Sequence, residues 1–207
     1  MSDNPKLDRA YSLKTPADSV ALYGDWATTY DADFVDASGY VLHIHVAAAY
    51  AEQGGRGPVL DMGAGTGVCG EALAKLGVGP IHATDISKDM LDIAAQKEVY
   101  ASHFTGDILA GLDVTEGQYS GVVSSGTFTL GHVGPSGLDE VVRVLSPGGL
   151  AVIAVRDTHY ESEGFAAKLR ELEPALGSIG FKTVQIYALE TGDHAGDEAI
   201  LVLMRKR

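Results

Sequence analysis

The stretch "VLDMGAGTGVCGEAL", residues 59–73, constrains the fold more than any other part of the chain. A short apolar run ends in an acid, Asp61. Gly63, Gly65, Gly67 and Gly70 follow, and then the pattern turns helical. A buried strand that passes through glycines into a helix is the opening of a βαβ unit. The loop can be read in two registers. From Gly63 it is Gly63-Ala64-Gly65-Thr66-Gly67, with Asp61 two residues upstream. From Gly65 it is a formal G-x-G-x-x-G ending at Gly70. Either way the glycines let backbone approach a ligand closely, and the helix behind them offers free N–H groups and a partial positive charge.

The rest of the chain alternates. Residues 1–55 read as helical and end at Gly54-Gly55, a stop signal. After the first strand (57–63) and its helix (67–77), "PIHATDIS" is a second strand, and Ser87 is placed to N-cap the helix "KDMLDIAAQKEV". Strands follow in "YASHFTGDIL", "YSGVVSSGTF" and "LAVIAVRD". The amphipathic segment "GLDEVVRVLSPGG" precedes the last of these, stopped by Pro147-Gly148-Gly149. Residues 163–180 read as a helix that Pro174 kinks or ends. "FKTVQIYALE" and "DEAILVLMRK" then form an antiparallel hairpin over the short linker "TGDHAG". Strands alternating with helices predict an α/β Rossmann-like parallel sheet with helices on both faces, its ligand beyond the carboxyl ends of the strands. With 207 residues and no second core, we expect a single domain: a helical N-terminal cap segment, 1–55, and a cofactor-binding core, 56–207.

Composition excludes several partners. Net charge is −13, which repels phosphate backbones and anionic membranes, so neither nucleic acid nor membrane is expected. There is no apolar run of spanning length and no secretory signal in "MSDNPKLDRAYSLKTPADSV". One cysteine, Cys69, fits a reducing cytoplasm and reads as a small buried filler. The basic end Arg205-Lys206-Arg207 reads as a solubilising tail. His43 and His45 lie two apart and point in different directions on a helix, so no metal site is expected.

The position of Asp61 bears on the two registers. An anion against Gly63 opposes a pyrophosphate but suits the ammonium end of S-adenosylmethionine (SAM). Asp85, closing the second strand, would hold ribose hydroxyls in either reading. Here the chain resembles the class I SAM-dependent methyltransferases. The likeness rests on "VLDMGAGTG" (59–67), "ATDISKDML" (83–91), "GDI" (106–108), "LSPGGLAVIAVR" (145–156) and the terminal hairpin, in that order over about residues 20–207. "YGDWATTYD" (23–31) and "GTFTLGHVG" after strand four bring it nearest the methyltransferase-like branch of the Williams–Beuren syndrome region.

The resemblance implies a seven-stranded, mostly parallel sheet of order 3-2-1-4-5-7-6 with strand seven antiparallel. It implies that Asp61, Gly63, Gly65 and Gly67 meet the methionine end and ribose. Asp85 would take the ribose hydroxyls with Ile86 on adenine, and Asp107 the adenine amino group with Ile108 beside the ring. Ser124 and Ser125 would approach the methionine moiety, and Tyr23, Trp26 and Tyr30 would cover the site. His132 and His159 follow the ends of strands four and five, where an acceptor sits. His132 is the candidate general base, and Arg156 and His159 are candidate substrate contacts.

Strand four ends in "SSGTFTL" and lacks the [N/D]-P-P-[Y/F] run of branches that methylate nucleic-acid or glutamine amino groups. A small-molecule acceptor is therefore expected, with S-adenosylhomocysteine (SAH) as product and the protein a monomer or homodimer. Two rivals remain at this point: a non-catalytic SAM-binding module, and an NAD(P)-dependent oxidoreductase using the second register.

Overall fold

The computed structural model describes residues 16–188 and 196–207. The expectations for residues 1–15 and for most of the linker, 191–195, lie outside them. Among the described residues three helical segments come first: α1 (Pro16–Trp26), a π-helical turn (Asp31–Asp36) and α2 (Leu42–Glu52). The core then runs β1 (Val59–Met62), α3 (Val68–Lys75), β2 (Ile81–Asp85), α4 (Lys88–Ala95), β3 (Ser102–Thr105), β4 (Tyr119–Phe128), α5 (Gly137–Val144) and β5 (Leu145–Arg156). It closes with α6 (Asp157–Ser162), α7 (Phe165–Leu172), β6 (Leu176–Gln185) and β7 (Glu198–Lys206). The sheet order is β3-β2-β1-β4-β5-β7-β6, with β7 antiparallel to both neighbours, as the resemblance implied.

Period-2 patterning divides the core between the two faces of the sheet. Along β5, Val152 and Ala154 join Trp26, Tyr40, Tyr50 and Leu73 on one face. Ala151, Ile153 and Val155 join Leu60, Met62, Leu138 and Phe165 on the other. Both sets are buried, so β5 is a central strand covered on both sides.

The sheet overrides local helix signals in two places. Residues 163–180 are not one helix: α7 ends at Leu172, a 3-10 turn carries Pro174, and β6 already begins at Leu176. Proline lacks the N–H and clashes with the preceding turn, and Gly177 and Gly180 do not favour helix beyond it. The segment instead pairs with β7 from Leu176 opposite Lys206 to Gln185 opposite Glu198. Likewise α5 stops at Val144 because Leu145 already sits beside Tyr119 in the sheet. The basic end is not a free tail either. Lys206 Nζ donates to the Leu145 carbonyl at 2.8 Å, Arg205 Nη2 to the Gln53 carbonyl at 2.6 Å and Arg207 Nε to the Leu176 carbonyl at 2.7 Å.

One irregularity positions the site. In β4, Ser124 pairs with Ile153 but Phe128 pairs with Val155, so β4 carries extra residues between the two pairs. This bulge lifts Ser125, Gly126 and Thr127 out of the ladder at the carboxyl edge of the sheet.

Close packing under the sheet yields a stability prediction. Gly121 on β4 lies against Tyr50, whose hydroxyl donates to the Arg56 carbonyl at 2.7 Å. A Cβ at 121 would sit 1.6 Å from that hydroxyl oxygen. Gly121→Ala should destabilise the fold by about 3 kcal/mol, the upper range for overpacking, read as a lower urea midpoint at unchanged slope.

Candidate functional site

The loop between β1 and α3 is held to the sheet by its own backbone. Gly63 and Ala64 N–H both donate to the Thr84 carbonyl, at 2.8 and 3.0 Å. Gly65 has φ +56°, and nothing lies within 4 Å of where its Cβ would be, so this glycine opens onto the crevice. The glycine that completes the second register has another reason. A Cβ on Gly70 would lie 2.2 Å from the Tyr100 hydroxyl. Tyr100 occupies that space and donates to Asp61 Oδ2 at 2.7 Å. Gly67 is shaped by the same ring, and Gly63 leaves room for Thr127. Two of the three glycines of the formal G-x-G-x-x-G, Gly67 and Gly70, are thus accounted for by packing of a tyrosine, without a pyrophosphate.

A cavity of about 240 Å³ opens beyond the carboxyl ends of β1, β2 and β4. Of the expected residues, Gly63, Gly65, Asp85, Ile86, Asp107, Ile108, Ser125, Tyr23, Tyr30 and His132 line it. Asp85 Oδ2 accepts the Gly65 N–H and Oδ1 the Ser87 N–H, both at 2.8 Å. Burial raises the Asp85 pKa while these backbone donors work against the rise. Ser87 in turn caps α4 by accepting from the Met90 N–H. Asp107 Oδ1 accepts from the Leu109 N–H at 2.9 Å, a local turn that leaves the carboxylate on the cavity wall. Ile86, Ile108 and Met90 give apolar walls beside the two acids. Thr84 Oγ1 is buried in the floor with no hydrogen-bond partner.

The charge of this lining discriminates between ligands. Among the described residues around the cavity there are two carboxylates and no lysine or arginine. A pyrophosphate would face anions with no counter-cation. A nucleoside that carries a sulfonium and an ammonium instead of phosphate suits the same walls, and the open space at Gly65 and the orphaned Thr84 hydroxyl fit such a ligand.

Other expected residues are not on this cavity, each for a visible reason. Asp61 is fully buried behind the loop, held by Tyr100. Its pKa is pushed up to about 7, by burial first and by the nearby Asp85 charge, against donors from Tyr100 and Gly70. Gly67 packs on Tyr100 and Ala94. Ser124 is buried and donates to the Met62 carbonyl at 2.7 Å. His159 is buried and uses Nε2 on the Val133 carbonyl at 3.1 Å, edge-on to Phe165. Trp26 and Arg156 line a smaller adjoining cavity of about 60 Å³. Arg156 Nη2 is 2.8 Å from Asp197 Oδ2.

The N-terminal segment closes over the crevice through two sets of contacts. Tyr23 and His132 Nε2 are 2.8 Å apart, and His132 Nδ1 is 3.1 Å from the Leu130 carbonyl. A carbonyl only accepts, so Nδ1 carries the proton and Nε2 accepts from the Tyr23 hydroxyl. Burial lowers the His132 pKa, the Leu130 carbonyl opposes this, and His159 adds to the lowering. Farther along, Asp31 accepts from Thr66 Oγ1 and pairs with Lys97 at 2.9 Å, and Lys97 also pairs with Glu71 at 2.6 Å. Burial acts against the Lys97 ammonium, but its hydrogen bonds to Asp31 and Glu71 outweigh this and raise its pKa. Sequence reasoning missed Asp31, Thr66, Lys97 and Tyr100. Asp31 ends the quoted run "YGDWATTYD", but its partners lie 35 and 66 residues away.

The buried Asp61 gives a pH prediction. Its ordinary pKa of 3.8 rises to about 7 on folding. Between those values the folded state holds a proton that the unfolded state has lost, so stability falls as pH rises from about 4 to 7 and is flat above. Asp61→Asn keeps an acceptor for Tyr100 and removes the titration. The wild-type minus variant unfolding free energy should fall by up to about 1.4 kcal/mol per pH unit in that window, measured by urea titration at each pH. A pH-independent difference would contradict the assignment.

Comparison with known proteins agrees with this geometry. Residues 59–149 match the sequence profile described as "Methyltransferase domain". No curated protein sequence matches the chain. Among solved structures, the TehB-like SAM-dependent methyltransferase of Corynebacterium glutamicum is 22% identical, with a TM-score of 0.63 over 90% of this chain and 99% of that one. A Methanococcus maripaludis protein assigned as an S-adenosyl-L-methionine-dependent methyltransferase is 19% identical, with a TM-score of 0.64 over 88% and 93%. A chain of the Haloferax volcanii complex with the Trm112 methyltransferase activator is 19% identical, with a TM-score of 0.63 over 89% and 97%. At these identities the structures speak for the fold, and the profile match speaks for the domain. The chain thus has the fold of these structures, and its residues 59–149 match a methyltransferase domain.

Proposed function

We propose that this protein transfers the methyl group of SAM to a small-molecule acceptor, within one domain whose N-terminal segment covers the site. The observation that carries the reading is the closure over the crevice: α1 and the π-helical turn lie across it, tied by Tyr23–His132 and Asp31–Lys97. What remains beside the cofactor cavity is a small annex of about 60 Å³, walled in part by Trp26, Phe34 and Tyr40. A net charge of −13 further disfavours a nucleic-acid substrate. The run "YGDWATTYD" supports a place in the Williams–Beuren-region branch, and a single buried cysteine supports a cytoplasmic setting.

In this reading Asp85 accepts the ribose hydroxyls, its carboxylate already oriented by the Gly65 and Ser87 N–H groups. Asp107 accepts from the adenine amino group, with Ile86 and Ile108 against the ring. Gly63, Gly65 and Ser125 border the methionine end. Asp61 acts from behind the loop, through Tyr100, rather than on the ligand. SAM, when bound, supplies an activated methyl on a sulfonium whose leaving group is a neutral thioether. The residues around it hold the acceptor in line and keep water out. Positioning of this kind contributes about 7–11 kcal/mol toward the barrier.

The test uses methyl-labelled SAM, the full chain and a cell extract split by ultrafiltration. Label should appear in the low-mass fraction, and Asp85→Ala should lower it at least about tenfold, as expected for loss of charge-assisted hydrogen bonds. Label confined to retained protein or nucleic acid would contradict the small-molecule reading.

A further inference from the structure

The annex between the N-terminal segment and the sheet has a composition that speaks to the acceptor. Its walls are rings and aliphatic groups, among them Trp26, Phe34, Tyr40, Phe128 and Tyr187. No carboxylate of the described residues lines it. The guanidinium at its edge, Arg156, is already paired with Asp197 at 2.8 Å, so a carboxylate acceptor would compete with a formed ion pair. Buried water needs roughly 10–15 Å³ of such space per molecule. By that measure about 60 Å³ is the scale of one small ring, whose substituents would reach into the adjoining cofactor cavity.

Polar chemistry is concentrated where the annex meets the cofactor cavity. Tyr23 and His132 line both spaces, and so stand at their junction. Their hydrogen bond has a defined direction, because His132 Nδ1–H is committed to the Leu130 carbonyl. The Tyr23 hydroxyl therefore donates to Nε2, and its oxygen is the acceptor presented by the pair.

We propose that Tyr23 and His132 form a proton relay for a small aryl-hydroxyl acceptor seated in the annex, with Tyr23 the catalytic residue that touches the acceptor. This rests on the methyltransferase reading above and specifies its substrate class. In the step, the acceptor oxygen forms a bond to the methyl carbon and the methyl–sulfur bond breaks, its electron pair remaining on sulfur to give SAH. The acceptor proton passes to the Tyr23 oxygen as the Tyr23 proton passes to His132 Nε2. The positive charge lost by sulfur reappears as the His132 imidazolium, so charge and atoms balance. His132 must be neutral beforehand, and its buried position favours that form. The titratable and charged groups around it are Tyr23 on α1, His159 on α6, the Tyr40 hydroxyl and the Arg156–Asp197 pair.

The experiment measures SAH release by the full chain with phenol, catechol, benzylamine and benzoate, alongside calorimetric SAM binding for each variant. Phenol or catechol should turn over and the amine and carboxylate should not. Tyr23→Phe and His132→Gln should each lower kcat about 100-fold, the scale of general-base catalysis, at saturating SAM. The acid limb of the wild-type pH profile should vanish in both variants. 4-Nitrophenol at about pH 9, already ionised and needing no base, should restore them to near the wild-type rate. Variants with wild-type kcat, or a loss that the ionised phenol does not rescue, would overturn the relay. So would turnover of benzylamine or benzoate in preference to the phenols, or retained SAM binding with no turnover of either phenol. Absence of SAM binding would instead overturn the cofactor assignment on which the relay depends.

Discussion

The crevice depends on where Tyr100 goes. Its ring and hydroxyl occupy the space that side chains at Gly67 and Gly70 would fill, and its hydroxyl reaches Asp61 beneath the loop. This packing brings α3 and α4 close to the ends of β1 and β2. It aims the loop so that Gly65 opens outward and its N–H meets Asp85. A carboxylate with no exposure and a pKa near 7 is the thermodynamic cost of this arrangement. The nearby Asp85 is held by backbone donors and remains on the wall of the cavity. Two acids close in the sheet therefore sit differently, one behind the loop on Tyr100 and one on the cavity wall.

Much of this was legible in the sequence where the signal is local. A buried strand has a short apolar run, a tight turn has glycine, and a helix start has a capping serine. Hence β1, β2 and β4 and the cap at Ser87 fall where expected. Sheet order came from the resemblance rather than from patterning, because strand neighbours are long-range contacts that no local period encodes. The features that a local reading does not give share that cause. Residues 176–180 become strand because β7 pairs with them, although the preceding stretch is helical. The bulge that lifts Ser125–Thr127 into the cavity exists only relative to β5. Asp61 was expected on the ligand because its position suits it, yet the residue that turns it inward, Tyr100, lies 39 positions away. His159 follows β5 as expected, but α6 buries it against Phe165 and the Val133 carbonyl.

The cover shows how a helical prefix becomes part of a site. Tyr23 and Tyr30 line the cofactor cavity while Trp26 and Phe34 anchor the same segment in the core. Aromatics at mixed spacing thus serve both packing and ligand enclosure. The segment is tied down at both sides of the crevice, to His132 beyond β4 and to Lys97 just past α4. Both ties are polar, and the Asp31 carboxylate is part-exposed, so each contributes modestly.

We propose that the glycine loop and its two wall acids form a site for a cationic, phosphate-free nucleoside. The decisive experiment is calorimetric titration of the full chain with SAM, SAH and NADH. Micromolar binding of SAM and SAH is expected, lost for both in Asp85→Ala, with no heat from NADH. Binding of NADH in preference to SAM would contradict it, because the crevice would then hold a pyrophosphate against two carboxylates with no cation in its described lining.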